Sequence, residues 1–567
     1  MTEAPTLDKI KKLGQVLTPF EIAEFLVNWA IKSPKDLILE PSCGDGIFLR
    51  AAIRRLMELG ASPESISKQV YGVEIDSEIL EKTKKLLLTE FSFVPTLINA
   101  DFFDLEPPRG QQTLNNLLTA PKIPRVDVIV GNPPYIRYQS FSGKTREKAL
   151  RTALEEGVKL PELTASWVPF VIHAEKFLKK DGRLAMVLPS KLLHVGYAKP
   201  FRKWLLKKFS NITIISFERR VFPGILEDTV LLLASKSGPY GVRFVEVTDE
   251  RELSGLDLES STFVLTRPNP DEKWTKYILP QNLESSLGEI LNKVQEKVVL
   301  LGELGIVTIG VVTGSNEFFT LTEEEASSWG IEKEYLVPLV SRAEQISGVE
   351  ITTSDWELIK KLGQKCYLLE VTKPWDELGM GVREYLIKRG DELNVRARYK
   401  VRIRKTWYTV PGVRFPDLFM SYMSHEVPKM ASNEIVVNER KATSTNTIHQ
   451  IFLKRKLEPR LLSTLFYNSL TLLSTELVGR FYGGGVLKIE PKEAEKILIP
   501  MAEEPKEILD ISSKVDRLLR AKRTADAVAI VNEVILEGEL GLKPRDVEVI
   551  EETWKYLQER RMKKSLG

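Results

Sequence analysis

The feature of this 567-residue chain that most constrains its fold is an alternation of short apolar runs with longer amphipathic stretches across residues 16–235. The runs are rich in Leu, Ile and Val at successive positions, as are strands that are buried on both faces of a sheet. Helical spacing of apolar residues separates several of them. The pattern predicts a doubly wound α/β domain. The apolar runs occupy residues 37–40, 70–75, 96–101, 126–131, 183–189, 212–217 and 229–235.

The pattern changes after residue 240. The segment KSGPYG (236–241) combines Gly, Pro and Ser and indicates the end of a domain. Short strand-like pieces, turns and frequent aromatic residues follow it, and helical spacing returns from residue 505. We therefore expect an α/β domain over 1–240, a mixed α+β domain over 241–504 and a C-terminal helical region over 505–567.

Composition excludes several classes of protein. The chain is 43% hydrophobic and 28% charged, which is ordinary for a globular protein, and its formal net charge of +3 indicates no particular partner. The two cysteines exclude a disulfide scaffold, and the four histidines lack ligand spacing, so we expect no metal site. No apolar run approaches the ~18 residues that span a bilayer, and the N-terminus lacks a signal-peptide core. We expect a cytoplasmic protein without membrane contact.

Acidic residues stand at the ends of the first three predicted strands. Glu40 opens the glycine turn EPSCGDG (40–46), Glu74 lies in GVEID (72–76), and Asp101 precedes Phe102 in NADFF (99–103). Ligands of open α/β sheets bind beyond the carboxyl ends of the strands, where an acid can accept hydrogen bonds from ribose hydroxyls. Three acids favour a positively charged adenosine derivative, because they would repel a triphosphate. The alternative for the glycine turn is a connection without a ligand, since it matches neither GxGxxG nor a P-loop.

The fourth predicted strand ends in GNPPY (131–135). Two prolines fix their own φ and remove two N–H donors, which leaves a stiff turn rich in acceptors, namely the Asn132 side-chain oxygen and the Pro133 carbonyl. Tyr135 adds a flat aromatic face. Such a turn can hold an exocyclic amine by both hydrogens, and the amine becomes a better nucleophile as it loses conjugation with its ring. The alternative is a rigid loop, but the position beside the acidic strand ends favours the catalytic interpretation.

Six motifs follow one another in the order GQVLTP (14–19), EPSCGDG (40–46), GVEID (72–76), NADFF (99–103), GNPPY (131–135) and VFPG (221–224). In these motifs and their order the chain resembles the S-adenosylmethionine-dependent N6-adenine DNA methyltransferases of the TaqI type, the gamma class of restriction–modification methylases. The resemblance covers residues 10–235 strongly and is looser over 300–500, where the family carries its target-recognition domain. It implies a class I methyltransferase (Rossmann-like) domain, followed by a mixed α+β domain that recognises DNA and by C-terminal helices.

The resemblance also implies roles for individual residues. The cofactor-binding residues would be Thr18, Pro19, Glu40 and Gly44 at the methionine part of S-adenosylmethionine, Glu74 at its ribose, and Asp101, Phe102 and Phe170 at its adenine. The residues at the target adenine would be Asn132, Pro133 and Tyr135, with Phe222 stacked on the other face of the base. Asp45 stands where the family often has Ser. The base must leave the duplex to reach this site, and the methyl group would then move in line to N6.

A basic segment lies in the second half of the chain, VRARYKVRIRK (395–405). Cations alternate with apolar residues, so a period of two predicts a strand with five cations on one face. Residues 383–408 hold nine basic and three acidic residues, a charge that suits phosphates and guanine edges. A solvated edge strand is the alternative, although edge protection needs fewer charges. RFYGGGVLKIE (480–490) is either a second contact loop or a plain turn. The predicted DNA-binding residues are Arg396, Arg398, Lys400, Arg402 and Arg404.

We therefore expect a site-specific DNA methyltransferase that modifies N6 of a flipped adenine in double-stranded DNA. It would be a monomer, and its partner would be a separate cognate restriction endonuclease acting on the same site. One alternative is a fused restriction endonuclease, because Asp417, Glu439 and Lys441 have the spacing of many magnesium nucleases. An RNA or protein N-methyltransferase is another, although glutamine methyltransferases with NPPY are about half this length. A catalytically inactive DNA-binding module is disfavoured by the intact NPPY.

Overall fold

Strands and helices alternate through the first half of the chain in this computed structural model, as the apolar pattern predicts. The structure describes residues 18–108, 123–136, 138–222, 228–258, 260, 264–454, 456–482, 484–503 and 505–563. Residues 14–17 of GQVLTP and 223–224 of VFPG lie outside this set. The chain divides into two units, of which the first runs to Leu279 and the second covers Pro280–Met562. No helix of the described ranges is long and apolar enough to cross a bilayer.

The first unit is built around one large sheet. Its strands are β1 Ile38–Glu40, β2 Val70–Glu74, β3 Thr96–Asn99, β4 Val126–Gly131, β5 Leu178–Pro189, β6 Asn211–Phe217, β7 Thr229–Ser235 and β8 Gly241–Val247. Its helices are α1 Phe20–Ala30, α2 Ile47–Glu58, α3 Pro63–Gln69, α4 Ser77–Phe91, α5 Gly143–Glu155, α6 Trp167–Glu175, α7 Lys191–His194 and α8 Lys199–Lys208.

The strand order of this sheet is β3-β2-β1-β4-β5-β7-β6-β8. Strands β1 to β5 pair in parallel, and β7 runs antiparallel to both β5 and β6. Ile129 of β4 enters one hydrophobic cluster, whereas Val128 and Val130 enter another, so the sheet is buried on both faces. The predicted doubly wound α/β domain is confirmed. Strands β1 and β4 are parallel neighbours, and the strand order changes direction between them, which is where such folds bind ligands.

The first unit extends past the boundary that we expected at residue 240. Strand β8 pairs in parallel with β6 over its whole length, beginning with Asn211 opposite Gly241. KSGPYG is therefore a short connection between two strands of one sheet, and the division of the chain falls at Leu279. The sequence signal was a genuine turn, but a turn alone does not distinguish the end of a domain from the next strand of a sheet.

The second unit mixes short strands with helices. Its strands are β9 Val298–Leu300, β10 Gly305–Ile309, β11 Thr320–Leu321, β12 Leu336–Val340, β13 Glu350–Thr352, β14 Tyr367–Leu369, β15 Leu418–Ser421, β16 Met423–Ser424, β17 Met430–Glu434, β18 Val436–Val437, β19 Arg440–Lys441, β20 Thr443–Ser444, β21 Ile448–Leu453, β22 Arg480–Tyr482, β23 Val486–Lys488 and β24 Leu498–Pro500. Its helices are α9 Gln281–Val294, α10 Leu301–Leu304, α11 Asn316–Phe319, α12 Glu323–Ser328, α13 Thr353–Lys361, α14 Met380–Glu392, α15 Tyr399–Arg402, α16 Pro459–Leu465, α17 Ser469–Val478, α18 Pro491–Ala494, α19 Pro505–Arg520, α20 Thr524–Val531 and α21 Pro544–Lys563.

The largest sheets of the second unit are a five-stranded one, β10-β21-β15-β17-β13, and a four-stranded one, β11-β14-β12-β20. The expected mixed α+β architecture is therefore confirmed. The C-terminal stretch is helical, as expected, but it belongs to this unit as far as Met562. Its helix α21 is held by the buried ion pair of Arg561 with Glu476, whose atoms are 2.8 Å apart.

The predicted strand in the basic segment (395–405) is wrong. Residues Val395–Ala397 form a 3-10 turn, and α15 follows at Tyr399–Arg402. Val395 and Val401 are buried in a cluster with Phe318, whereas the apolar residues between them are exposed. Packing of two valines six positions apart, rather than pairing with a neighbouring strand, sets the local structure, so the period of two does not describe a sheet face.

Candidate active site

The carboxyl ends of the parallel strands bring the predicted acids to one edge of the sheet. Glu40 ends β1, Glu74 ends β2, and Asp101 follows β3 at the start of a 3-10 turn. Asn132 follows β4, which is the neighbour of β1 on its other side. We call this edge the strand-end crevice. The order β3-β2-β1-β4 therefore assembles residues that are up to 92 positions apart in the sequence.

The glycine turn after β1 is tied to β2 by Glu74. The Gly44 N–H donates to Glu74 Oε2 at 3.0 Å, and the Asp76 N–H donates to Oε1 at 2.9 Å. Gly44 has φ +47°, and a Cβ at this position would meet no atom within 4 Å, so the turn leaves open space beside its backbone. A carboxylate has about four acceptor positions, and Glu74 can therefore accept further hydrogen bonds.

Glu40 is the most unusual group of the crevice. Its side chain is buried, at 1% exposure, and its Oε2 has no hydrogen-bond partner among the described residues. Burial, followed by the nearby Asp45 and Glu74, raises the pKa of Glu40 well above its ordinary value. A buried carboxyl oxygen without a partner is costly and rare. The arrangement suits a ligand that carries positive charge, because a cation would stabilise the ionised form.

Asn132 is fixed by residues of two other predicted motifs. Its Nδ2 donates to Thr18 Oγ1 at 3.1 Å, and its backbone carbonyl accepts from Ser42 Oγ at 3.2 Å. Thr18 belongs to GQVLTP, and Ser42 belongs to the glycine turn. Because the amide nitrogen is bonded to Thr18, the other end of the amide presents its oxygen as the acceptor. The structure thus brings together Thr18 and Asn132, which the sequence analysis assigned to cofactor and base separately.

The rest of the NPPY turn (132–135) is held from the opposite side by Ser166, just before α6. Ser166 Oγ accepts the Ile136 N–H at 2.8 Å and donates to the Pro134 carbonyl. The Tyr135 hydroxyl donates to the Val187 carbonyl of β5 at 3.0 Å. The roles of Ser42 and Ser166 were not predicted, since neither residue lies in a pattern that indicates contact with a distant turn.

The residues expected at the adenine of a cofactor form an aromatic cluster. The rings of Phe102 and Phe170 are 5.1 Å apart, and both side chains are buried. Asp101 accepts from Phe103 N–H and from the Thr145 hydroxyl. His173 completes the cluster, with its Nε2 3.1 Å from the Phe102 carbonyl. Burial lowers the pKa of His173, which therefore serves as a neutral hydrogen-bond donor within the core.

Phe222 and Tyr135 pack against different hydrophobic clusters of the first unit. Phe222 is buried in the cluster formed by Val128 and Val130, whereas Tyr135 packs against the cluster that contains Ile129.

The five cations of the basic segment differ in their surroundings. Arg404 turns inward and donates to the Thr313 carbonyl at 2.6 Å, and Arg398 lies 3.6 Å from Glu317. The Arg396 guanidinium lies 4.7 Å from the centre of the Trp407 ring. Two cations, Lys400 and Arg402, are exposed and have no ion-pair partner in the described part of the chain.

Two further predicted patterns have plain structural outcomes. Strands β22 and β23 of RFYGGGVLKIE pair antiparallel as a hairpin, and Gly484 and Gly485 between them have φ +81° and +73°. Asp417 accepts the Leu453 N–H, and Glu439 is an exposed residue of the β18–β19 turn. Within the described ranges, no group of three or more His, Cys, Asp or Glu residues could hold a metal ion.

Two family models match the chain. Residues 68–222 match the Eco57I restriction-modification methylase model, and residues 271–536 match the C-terminal domain of the type II methyltransferase M.Eco57I. The type II methyltransferase M.AccI of Acinetobacter calcoaceticus is 25% identical over 509 residues, which cover 87% of this chain and 86% of that protein. M.XamI of Xanthomonas campestris pv. amaranthicola is 22% identical over 511 residues, which cover 88% and 87%.

Solved structures agree with the fold. The type IIL restriction-modification enzyme MmeI, solved in complex with DNA, matches with a TM-score of 0.59 at 14% identity, covering 97% of this chain and 76% of that one. DrdV, solved as a DNA complex, matches with a TM-score of 0.55 at 12% identity, covering 91% of this chain and 58% of the longer DrdV chain. The sequence motifs, the doubly wound sheet and the two family models agree, and the chain belongs to the DNA methyltransferases of restriction–modification systems.

Proposed function

We propose that this protein transfers a methyl group from S-adenosylmethionine to N6 of an adenine in double-stranded DNA, as the modification part of a restriction–modification system. The observation that carries the proposal is the position of the NPPY turn. It follows β4 directly beside the crevice lined by Glu40 and Glu74, and its Asn132 amide is oriented by Thr18. A cation-binding crevice beside a stiff turn of acceptors is the arrangement that methyl transfer to an amine requires.

The described residues of the crevice suit this cofactor. Glu40, buried and without a partner for its Oε2, would hold the positive methionine part, together with Thr18 and Pro19. The open space at Gly44 lets a ligand approach the backbone, and Glu74 has acceptor positions left for the ribose. The residues for the cofactor adenine are Asp101, Phe102 and Phe170. When bound, S-adenosylmethionine supplies an electrophilic methyl group on a sulfonium.

The target adenine would leave the duplex and enter the site as a neutral base. The Asn132 oxygen and the Pro133 carbonyl would each accept one N6 hydrogen. Both contacts strengthen as the nitrogen becomes pyramidal and gains positive charge, so they stabilise the transition state more than the bound base. Tyr135 would replace part of the lost stacking, and Phe222 would do so only if it leaves its present cluster. Positioning and electrostatics suffice for such a transfer.

The site on DNA would be recognised mainly by the second unit, where the exposed cations Lys400 and Arg402 lie, with Arg396 and Arg398 beside them. Arg404 is removed from this role by its bonds to the Val312 and Thr313 carbonyls. A separate endonuclease specific for the same sequence would be the partner in the cytoplasm, with the methyltransferase acting as a monomer. Incubation with magnesium and unmethylated DNA tests this division, because a fused nuclease would cut the DNA.

Methylation of unmodified genomic DNA in vitro, followed by mapping of the modified bases, tests the proposal. We expect 6-methyladenine at one sequence, and methylated cytosine or methylated RNA alone would refute it.

Asn132→Ala should lower the single-turnover rate at least about 100-fold, the scale for one preorganised contact. Affinities for DNA and cofactor should change little. Asn269→Ala, at an exposed site of the same unit, is the matched control. If Asn132→Ala transfers methyl at nearly the wild-type rate, the NPPY turn is a rigid loop without a catalytic role.

A further inference from the structure

An exposed apolar pair stands in the middle of the basic segment. Tyr399 is 64% exposed and Ile403 is 60% exposed. The Ile403 N–H donates to the Tyr399 carbonyl at 3.3 Å, so Ile403, the residue that caps α15, lies one helical turn from Tyr399, and the two side chains project on the same side. The two side chains together leave a small continuous apolar surface exposed to water, which makes this face a candidate contact site.

The helix that carries the pair is firmly anchored in the second unit. Val395 and Val401 are fully buried on either side of Tyr399. Arg404, next to Ile403, donates to the Val312 and Thr313 carbonyls, and its guanidinium lies 5.3 Å from the centre of the Phe319 ring. Because the backbone is pinned at both ends, the exposed pair forms a short rigid projection rather than a collapsed loop.

The charge around the pair selects the kind of occupant. The 24 residues between Glu392 and Asp417 contain seven Lys or Arg and no acid. Lys400 and Arg402 lie within α15 itself and are exposed. A second copy of this face would be repelled, because it carries the same charge. A polyanion with flat apolar surfaces between its charges matches both features, and duplex DNA has this chemistry in its phosphates and stacked bases.

We propose that Tyr399 and Ile403 form a wedge that enters the base stack of bound DNA while Lys400 and Arg402 contact the flanking phosphates. This inference rests on the proposed function, because it takes DNA as the substrate. It adds that the bound duplex is distorted, which phosphate contacts alone would not produce. Apolar side chains that enter a base step unstack it, and an aromatic ring can then stack on the exposed base.

Permanganate reactivity of thymines, which rises where bases unstack, tests the wedge on the full chain without cofactor. Genomic fragments retained by the wild-type protein serve as the DNA. In the wild-type complex we expect a reactive step at a fixed position, separate from any thymine opposite a flipped adenine. Tyr399→Ala should remove this step and weaken binding about tenfold or more. Ile403→Ala should reduce reactivity, and Tyr399→Phe should keep it. The similarly exposed Tyr240 and Leu358 provide control variants, Tyr240→Ala and Leu358→Ala.

The outcomes separate this inference from the proposed function. The wedge alone is overturned if the wild type methylates DNA normally and Tyr399→Ala keeps the wild-type permanganate reactivity and DNA affinity. Absence of DNA binding by the wild type overturns both. A second test is flotation of the protein with vesicles of anionic and neutral lipid. If the wild type floats, Tyr399→Ala does not, and the DNA readouts of this variant stay normal, the surface would be assigned to a membrane. A dimer lost in that variant under the same conditions would assign it to a second copy. Unchanged thermal unfolding confirms that each variant is folded.

Discussion

Ser166 provides a direct test of how the NPPY turn is held in place. Its hydroxyl accepts the Ile136 N–H at 2.8 Å and donates to the Pro134 carbonyl, so it bridges the two residues on either side of Tyr135. Ser166 itself is only 2% exposed. The substitution Ser166→Ala removes both bonds and adds no bulk. The backbone bond from Ser166 N–H to the Ile136 carbonyl, 3.1 Å long, is kept.

The size of the effect follows from these contacts. A buried polar group left without a partner costs about 1–3 kcal/mol, and the two groups here are partly buried, so we expect about 1–2 kcal/mol in total. The rate should respond more strongly. A displacement of about 1 Å at a reacting centre can cost about 100-fold, and we therefore expect a 10- to 100-fold slower methyl transfer. Affinity for DNA and cofactor should be unchanged, because the Ser166 hydroxyl bonds only to Pro134 and Ile136 among the described residues, and the backbone bonds of Ser166 are kept.

The assay is single-turnover methylation at saturating DNA and cofactor, alongside thermal unfolding. Ser254→Ala is the matched control, since Ser254 is an exposed serine of the same unit that donates to the Arg251 carbonyl. Working at saturation below the unfolding temperature separates turnover from loss of folded protein. A variant that is less stable but transfers methyl at the wild-type rate would refute the reasoning and leave Ser166 with a structural role only.

Three further predictions concern the cofactor, the DNA and pH. Glu74→Ala should weaken S-adenosylmethionine binding by about 1.5–3 kcal/mol in calorimetry, the range for a hydrogen bond to a charged group. Arg402→Ala should lower the salt slope of DNA binding by about one, whereas Arg404→Ala should mainly lower thermal stability, because Arg404 bonds to backbone carbonyls of its own unit. Burial raises the pKa of Glu40, so its ionisation opposes folding. This free-energy cost is absent below the unfolded pKa of about 4.3, and it grows as pH rises toward the pKa of the folded state. The cofactor-free wild-type protein should therefore lose stability as pH rises. Glu40→Gln should make this loss smaller in thermal melts across pH 4–9.

Each of these has a contrary result. Unchanged cofactor affinity would remove Glu74 from the ribose. If Arg402→Ala has a normal salt slope and normal sequence specificity, the basic segment is a solvated surface that does not contact DNA. Parallel stability curves for Glu40→Gln and the wild type would mean that Glu40 carries the same charge in the folded and unfolded chains.

The strand-end crevice could be predicted because its geometry follows from chain order. Once four consecutive strands are parallel, the residues that follow them lie at one edge of the sheet. The positions of Glu40, Glu74 and Asn132 could therefore be predicted without knowledge of side-chain packing. The bridges made by Ser42 and Ser166 could not be predicted. Ser42 contacts a residue 90 positions away and Ser166 one 32 positions away, and a serine carries no local pattern that specifies such a distant partner.

The basic segment was misassigned for a related reason. A period of two has structural meaning only where a neighbouring strand pairs with the segment, and here Val395 and Val401 instead anchor it to a helical cluster. The composition of the segment remained informative, since charge does not depend on secondary structure. What changed is which residues are exposed, with Arg404 turned inward and Tyr399 outward.

The two halves of the proposed reaction impose opposite electrostatic requirements, and the chain separates them. Glu40, Glu74 and Asp101 make the crevice attractive to a cationic cofactor and repulsive to phosphates. Among the groups of DNA, an uncharged one such as a base can enter beside such acids at lower cost than a phosphate can. Affinity for the DNA backbone must therefore come from elsewhere, and the 24 acid-free residues between Glu392 and Asp417 supply a concentrated positive charge in the second unit. Substitutions in the crevice should accordingly change turnover or cofactor affinity without changing the salt slope, whereas substitutions at Lys400 or Arg402 should do the reverse.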